Sequence, residues 1–290
     1  MNRREFLGVM SLLAASPLSL AGTSGVDALL SDPARNNEFF PEEFERYLAD
    51  ECWKGAHMPT HKVHPRFHRQ LVLPHSELNT LLANIAQPLF SAAHRRLHWR
   101  IAVLNDPEIN AFTPGGGVIY VTFGFLFHAR NQYDLLGVIA HEIGHNEHYH
   151  AAKRIALSRL LKEYSMQDIL ANRLESKQFD AFIQNLNYLA HKSYKRLHEF
   201  EADAYILNSF IKAGIGSKQA PACNQMLVSL FGSQRLGKNT CLYGSHPQSV
   251  ERLERMKFLA SQHEVAQSVS KEREFLRIKK IITQLVKQSS

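Results

Sequence analysis

His141-Glu142-Ile143-Gly144-His145 is where the residue types and spacing of this chain can do chemistry. Residues four apart share one face of a helix, so both imidazoles point the same way. The Glu between them lies one position along, where its carboxylate can hold a water on a metal rather than bind the metal. A metal such as zinc lowers the pKa of that water, and the Glu takes its proton as it attacks a carbonyl. Leu135, Leu136, Val138, Ile139 and Ala140 give the preceding turns an apolar face, so this helix is built for burial. Buried imidazoles need partners for their ring nitrogens. The plainer reading, two ordinary core histidines, leaves Glu142 without a task.

A catalytic zinc takes three protein ligands and leaves one position open. His148 does not supply the third: it lies seven residues from His141, about 10 Å along a helix axis. Glu163 stands at a plausible distance downstream, in Lys162-Glu163-Tyr164, with no supporting carboxylate nearby. Glu199 is the better candidate. In Glu199-Phe200-Glu201-Ala202-Asp203, Glu199 and Asp203 share a helix face and Glu201 points away. A ligand carboxylate beside a carboxylate that orients a ligating imidazole is the support such sites require.

The elements that must position these residues can be read from periodicity. Leu78, Leu81, Leu82, Ile85 and Leu89 mark a helix from Ser76. Trp99 to Leu104 alternates as a strand. Asn110-Ala111-Phe112-Thr113-Pro114-Gly115-Gly116-Gly117 breaks the chain before a second strand, Val118-Ile119-Tyr120-Val121-Thr122. A long helix is predicted from about Gln132 to Lys162, and most of the chain beyond it is helical. Upstream, a short helix is predicted after Pro41. His57, His61, His64 and His68 recur at nearly helical spacing, but Pro59 and Pro65 interrupt any helix, which favours a packed loop over a second metal site. The C-terminal Phe275, Leu276, Ile278, Ile281, Ile282 and Leu285 among Lys and Arg suit a helix that caps the core, with peripheral membrane contact as the other reading.

Taken in order, Asn110-Ala111-Phe112 with its glycine turn, Val118 to Thr122, the His-Glu-x-x-His motif, then Arg196, Glu199, Glu201, Ala202 and Asp203, and finally Ser245-His246-Pro247 with Arg252, resemble metallopeptidase family forty-eight. This is the group of HtpX and the CAAX prenyl endopeptidases, and the likeness is strongest to its soluble periplasmic quality-control branch. It covers roughly residues 80 to 260. The resemblance implies an α+β, mainly helical, zincin-like (gluzincin) domain with a small sheet and one zinc ion per chain. It implies metal binding by His141, His145 and Glu199, the base at Glu142 and an orienting role for Asp203. Val118, Ile119, Tyr120, Val121 and Thr122 would be the edge strand that pairs with extended substrate. His246, in the His-Pro loop, would stabilise the oxyanion or visit the open zinc position. Two departures stand out. Ala204-Tyr205-Ile206-Leu207 replaces an Arg and a Gly, and His148-Tyr149 replaces a small-then-Arg pair.

The first residues read as an address. Arg3 and Arg4 precede an apolar stretch to about Leu20, with small residues at Ala21, Gly22 and Thr23. Arg-Arg followed by Phe-Leu resembles a twin-arginine export signal, and Thr23 stands where a lipidated Cys would be. The expected organisation is an export signal (1–22), an N-terminal extension (23–75), a zinc metallopeptidase domain (76–262) and a C-terminal helix (263–290). The expected location is the periplasm, without lipidation. There Cys223 and Cys241 could pair, leaving Cys52 free. A net charge of +7 without basic-aromatic patterning excludes nothing but gives no sign of nucleic-acid binding. The expected activity is zinc-dependent cleavage of internal peptide bonds in unfolded or misassembled exported proteins, outer-membrane proteins among them. The rival is a zinc-binding chaperone or assembly factor that cleaves little.

Overall fold

The computed structural model describes residues 42–63, 65–152, 196–231 and 250–289. Its centre is a three-stranded sheet of β1 (Arg100–Leu104), β2 (Ala111–Gly115) and β3 (Val118–Thr122), in the order β1-β3-β2. β1 runs parallel to β3 with Ile101 opposite Ile119, and β2 runs antiparallel with Ala111 opposite Val121. Residues 71–73 line the outer side of β1, where Leu73 N–H donates to Val103 O at 2.7 Å and Asn105 N–H to Leu71 O at 2.9 Å.

Alternation along the strands sorts side chains onto two covered faces. Ala102, Leu104, Phe112, Val118 and Tyr120 meet Ala49, Trp53 and Ala56 of α1 (Glu42–Ala56). Ile101, Val103, Ala111, Ile119 and Val121 join the main core with Leu78, Leu82, Ile85 and Leu89 of α2 (Ser76–Ala92). A sheet covered on both faces reads as continuous apolar sequence, as β3 does. Upstream of residue 76, α1 and residues 71–73 thus pack against the sheet.

Two expectations about the sheet need correction. Residues 111–115 are a strand, not a break: tertiary pairing with β3 overrides their Pro and Gly content, and the turn itself is confined to the glycines, all at positive φ from Gly115 to Gly117. And Val118 to Thr122 is not an edge. It is paired on both sides and every residue in it is buried, so its backbone has no side open to a substrate strand.

After the short α3 (Phe123–His128), α4 (Gln132–Glu147) carries the motif through the middle of the molecule. Asn131 Oδ1 caps its start, accepting from Tyr133 N and Asp134 N at 2.9 and 3.1 Å. The predicted helix to Lys162 is broken after Glu147; helical backbone resumes at residues 150–152, and residues 153–162 lie outside the described residues. His148 and Tyr149 form a turn in which Tyr149 takes a left-handed φ of 56°. Arg95 fixes that ending: its guanidinium donates to Asn146 O at 2.7 Å and lies 3.8 Å from the centre of the Tyr149 ring. A cation at the last carbonyls is favourable for any helix C-terminus.

α5 (Arg196–Lys212) crosses α4 beside the motif, with α6 (Ala222–Phe231) and α7 (Val250–Ser261) packed around it. α8 (Glu272–Ser289) lays Phe275, Ile278, Ile281 and Ile282 into the main core, so its apolar face is covered by α2 and α3. No helix among the described residues is long and apolar enough to cross a membrane.

Gly144 sets the closest approach of α4 and α5. A methyl there would stand 2.9 Å from Tyr205 Cβ and 3.0 Å from Ala202 Cα. Gly144→Val is expected to cost about 2 kcal/mol or more in thermal unfolding, because overpacking against backbone outweighs the gain from removing a helical glycine.

Candidate metal-dependent active site

α4 presents His141 and His145 on one face, with their Nε2 atoms 3.1 Å apart. α5 brings Glu199 to both: its Oε2 lies 3.4 Å from His141 Nε2 and its Oε1 3.5 Å from His145 Nε2. Zinc bonds of ~2.0–2.1 Å set tetrahedral donor atoms ~3.3 Å apart, so these three groups have the spacing of one face of a zinc site. Glu142 stands beside them, its carboxylate within 4.8 Å of the ligand atoms of both histidines. On proximity alone Glu142 could be counted as the third donor. The approach of Glu199 to both Nε2 atoms, with Asp203 one turn further along the same helix and set against His141, favours Glu199 for that place and leaves Glu142 for proton transfer. All four residues are buried.

Asp203, one turn beyond Glu199, lies 3.1 Å from His141 Nδ1 through Oδ1. That contact fixes the His141 tautomer, leaving Nε2 turned toward Glu199. Burial opposes a charge on His141, but hydrogen bonds to Asp203 and Glu199 outweigh it and push the imidazole up to about 9.

Arg252, from α7, is the residue whose role sequence reasoning missed. Its guanidinium contacts Glu199 Oε2 at 2.7 Å and Asp203 at 2.6 and 2.7 Å, and it is only 3% exposed. Burial alone would raise the Asp203 carboxyl; Arg252, with help from His141, holds it down at about 2. The only sequence signal was the place of Arg252 in the family pattern.

A second group of metal-capable side chains, His150, His198 and Glu201, adjoins the first. His150 Nδ1 is 2.8 Å from His145 Nδ1, and His150 Nε2 is 2.9 Å from Glu201 Oε2. Burial holds the His150 imidazole down at about 3, against the pull of Glu201 and aided by His198 and His148. Glu201 does point away from the His141 and His145 Nε2 atoms, and its partner there is His150.

His246, Glu163 and Cys241 lie outside the described residues, as does His64. His57 contacts Trp53 O and His68 contacts Val63 O, each through one ring nitrogen, and neither joins a metal-capable group among the described residues. Cys52 and Cys223 are buried free thiols, the first pushed up to about 12 by burial.

Comparison with known proteins gives a match to the model of peptidase family M48 over residues 73–260. The mitochondrial metalloendopeptidase OMA1 of Schizosaccharomyces pombe is 29% identical over 161 residues, 55% of this chain and 46% of that protein. Human mitochondrial metalloendopeptidase OMA1 is 28% identical over 175 residues, 56% of this chain and 33% of that protein. A Vibrio cholerae protein named "Putative beta-barrel assembly-enhancing protease" is 26% identical over 160 residues, 52% and 33% of the two chains. The chain thus spans less than half the length of these curated relatives.

Removing Arg252 would leave two buried carboxylates without their cation, a change that costs about 3–5 kcal/mol in comparable buried pairs. The depressed Asp203 carboxyl contributes stability above the ordinary carboxylate pKa, and this is lost only as pH falls toward about 2. In Arg252→Leu the carboxyls must instead take up protons on folding. Thermal unfolding of the metal-free proteins should therefore show a large deficit at about pH 8 that narrows at about pH 5.

Proposed function

The chain belongs to peptidase family M48, and on that footing we propose that it is a zinc-dependent endopeptidase with Glu142 as its base. The observation that carries the reading is the approach of His141 Nε2, His145 Nε2 and the Glu199 carboxylate to within 3.1–3.5 Å of one another, with Glu142 adjoining. His141, His145 and Glu199 would hold the ion. Bound there, zinc supplies Lewis acidity, polarising a carbonyl and easing the ionisation of water.

The remaining steps belong to the chain itself. Glu142 accepts the proton of the water that attacks the scissile carbonyl and returns it to the departing amide nitrogen. Asp203 keeps His141 turned to the metal position, and Arg252 contacts both buried carboxylates and holds that of Asp203 ionised. His246 is assigned the oxyanion or a transient place on the metal; a clear fall in turnover in His246→Ala is the expected result.

The proposed substrates are unfolded or misassembled proteins outside the cytoplasm, outer-membrane proteins among them. Support comes from the export-like residues 2–23 and from the name of the Vibrio relative. The proposed location is the periplasm.

The test pairs zinc analysis with digestion of unfolded casein. The wild type should bind one zinc and cleave; Glu142→Gln should bind one zinc and cleave at least about 100-fold more slowly, since its amide cannot accept the proton. Zinc without cleavage in either protein would point to a zinc-bound chaperone. No zinc in the wild type would end the reading.

A further inference from the structure

The turn that ends α4 does more than stop a helix. Five residues apart on a continuous helix, His145 and His150 would project ~140° apart around the axis. The left-handed Tyr149 folds the chain back instead, so that the two Nδ1 atoms meet at 2.8 Å inside the protein, where both rings are buried. From the far side of His150, Nε2 reaches Glu201 Oε2 at 2.9 Å. Three side chains thus stand in one hydrogen-bonded line that begins at a ring facing Glu199 and ends on a carboxylate.

We propose that His150 and Glu201 are positioning residues for His145, acting through the line Glu201–His150–His145. The inference rests on the reading of His145 as a metal ligand through Nε2. If Nε2 offers its lone pair to a metal, the neutral ring carries its proton on Nδ1, and that N–H must donate. The atom that faces it is His150 Nδ1, which accepts only if His150 carries its own proton on Nε2. Glu201 secures that arrangement, because a carboxylate can only accept. Each ligand imidazole then has its own orienting acceptor, Asp203 for His141 and His150 for His145. Such outer partners orient a ligand and raise its basicity, and losing one typically costs about 10- to 100-fold in metal affinity.

The same side chains could be taken for a second metal site, and the geometry speaks against it. His150 and His198 stack face to face, 4.1 Å between ring centres and 12° between planes. The lone pairs of stacked rings lie in separate parallel planes, so no single point lies in line with both. An ion on His150 Nε2 would also force a proton onto Nδ1, opposite the N–H of a metal-bound His145.

Two substitutions at one position separate orientation from packing. His150→Asn keeps an oxygen near the place of Nδ1 and loses the ring stacked on His198. His150→Phe keeps a ring and loses the acceptor. Zinc affinity of each full-length variant is measured by competition with a chromophoric chelator, with thermal unfolding of the metal-free proteins as the control for folding. Expected is a loss of about tenfold or more in His150→Phe and of no more than about threefold in His150→Asn. Equal losses, or a larger loss in Asn than in Phe, would overturn the proposal and leave the metal reading intact. Two zinc ions per wild-type chain, falling to one in both variants, would overturn it as well. A wild type that binds no zinc sinks both. Should His150→Phe fail to fold, magnetic resonance of the zinc-loaded wild type with nitrogen-labelled histidines decides: His150 protonated at Nε2 sustains the line, and protonated at Nδ1 it refutes it.

Discussion

Two carboxylates, Glu199 and Asp203, are buried one helical turn apart, and everything around the site depends on how the chain tolerates them. An isolated ionised carboxyl in a protein interior would protonate rather than stay charged. Arg252 contacts both and keeps Asp203 ionised, and the histidines of α4 face the same two carboxylates. The arrangement is stable only as a set. With Arg252 in place, Asp203 orients His141 and Glu199 can face a cation. The guanidinium comes from a third helix, so the site depends on α4, α5 and α7 docking together, and on the glycine that lets the first two approach.

What the sequence made legible was local. The spacing of His141 and His145, the placing of Glu142 between them and the four-residue step from Glu199 to Asp203 are all helical arithmetic. The alternation of Trp99 to Leu104 and the β-branched run at Val118 to Thr122 announced strands for the same reason. The α8 face declared itself through apolar residues at helical intervals, and it packs as a cap should.

What stayed hidden was set by tertiary contact. Pro114 and the glycines made residues 110–117 look like a break, yet pairing with β3 draws Ala111 to Gly115 into the sheet. Strand order leaves no trace in the residues of a strand, so the central place of β3 could not be read from it. The end of α4 depends on Arg95, about fifty residues away, reaching Asn146 O and the Tyr149 ring. The meeting of His145 with His150, and of Arg252 with two acids, likewise joins residues that no periodicity links.

The glycine turn after β2 is tied from two directions. Gly117 N–H donates to Asn146 Oδ1, Asn146 Nδ2 donates to Thr113 Oγ1, and Gly116 N–H donates to Glu45 Oε1, all within 3.0 Å. Asn146 directly follows the second motif histidine. The sheet and the motif helix are therefore keyed together at one amide side chain, and the key is a matter of chain length as much as of chemistry. Adding or removing one residue between His145 and His150 would take His150 away from His145 Nδ1, and at the junction before Asn146 it would also rotate that amide off the hairpin, while leaving the five-letter motif intact to the eye. The readable word in this chain is accordingly longer than the motif. It runs from His141 through Asn146 to His150 and admits no change of spelling length.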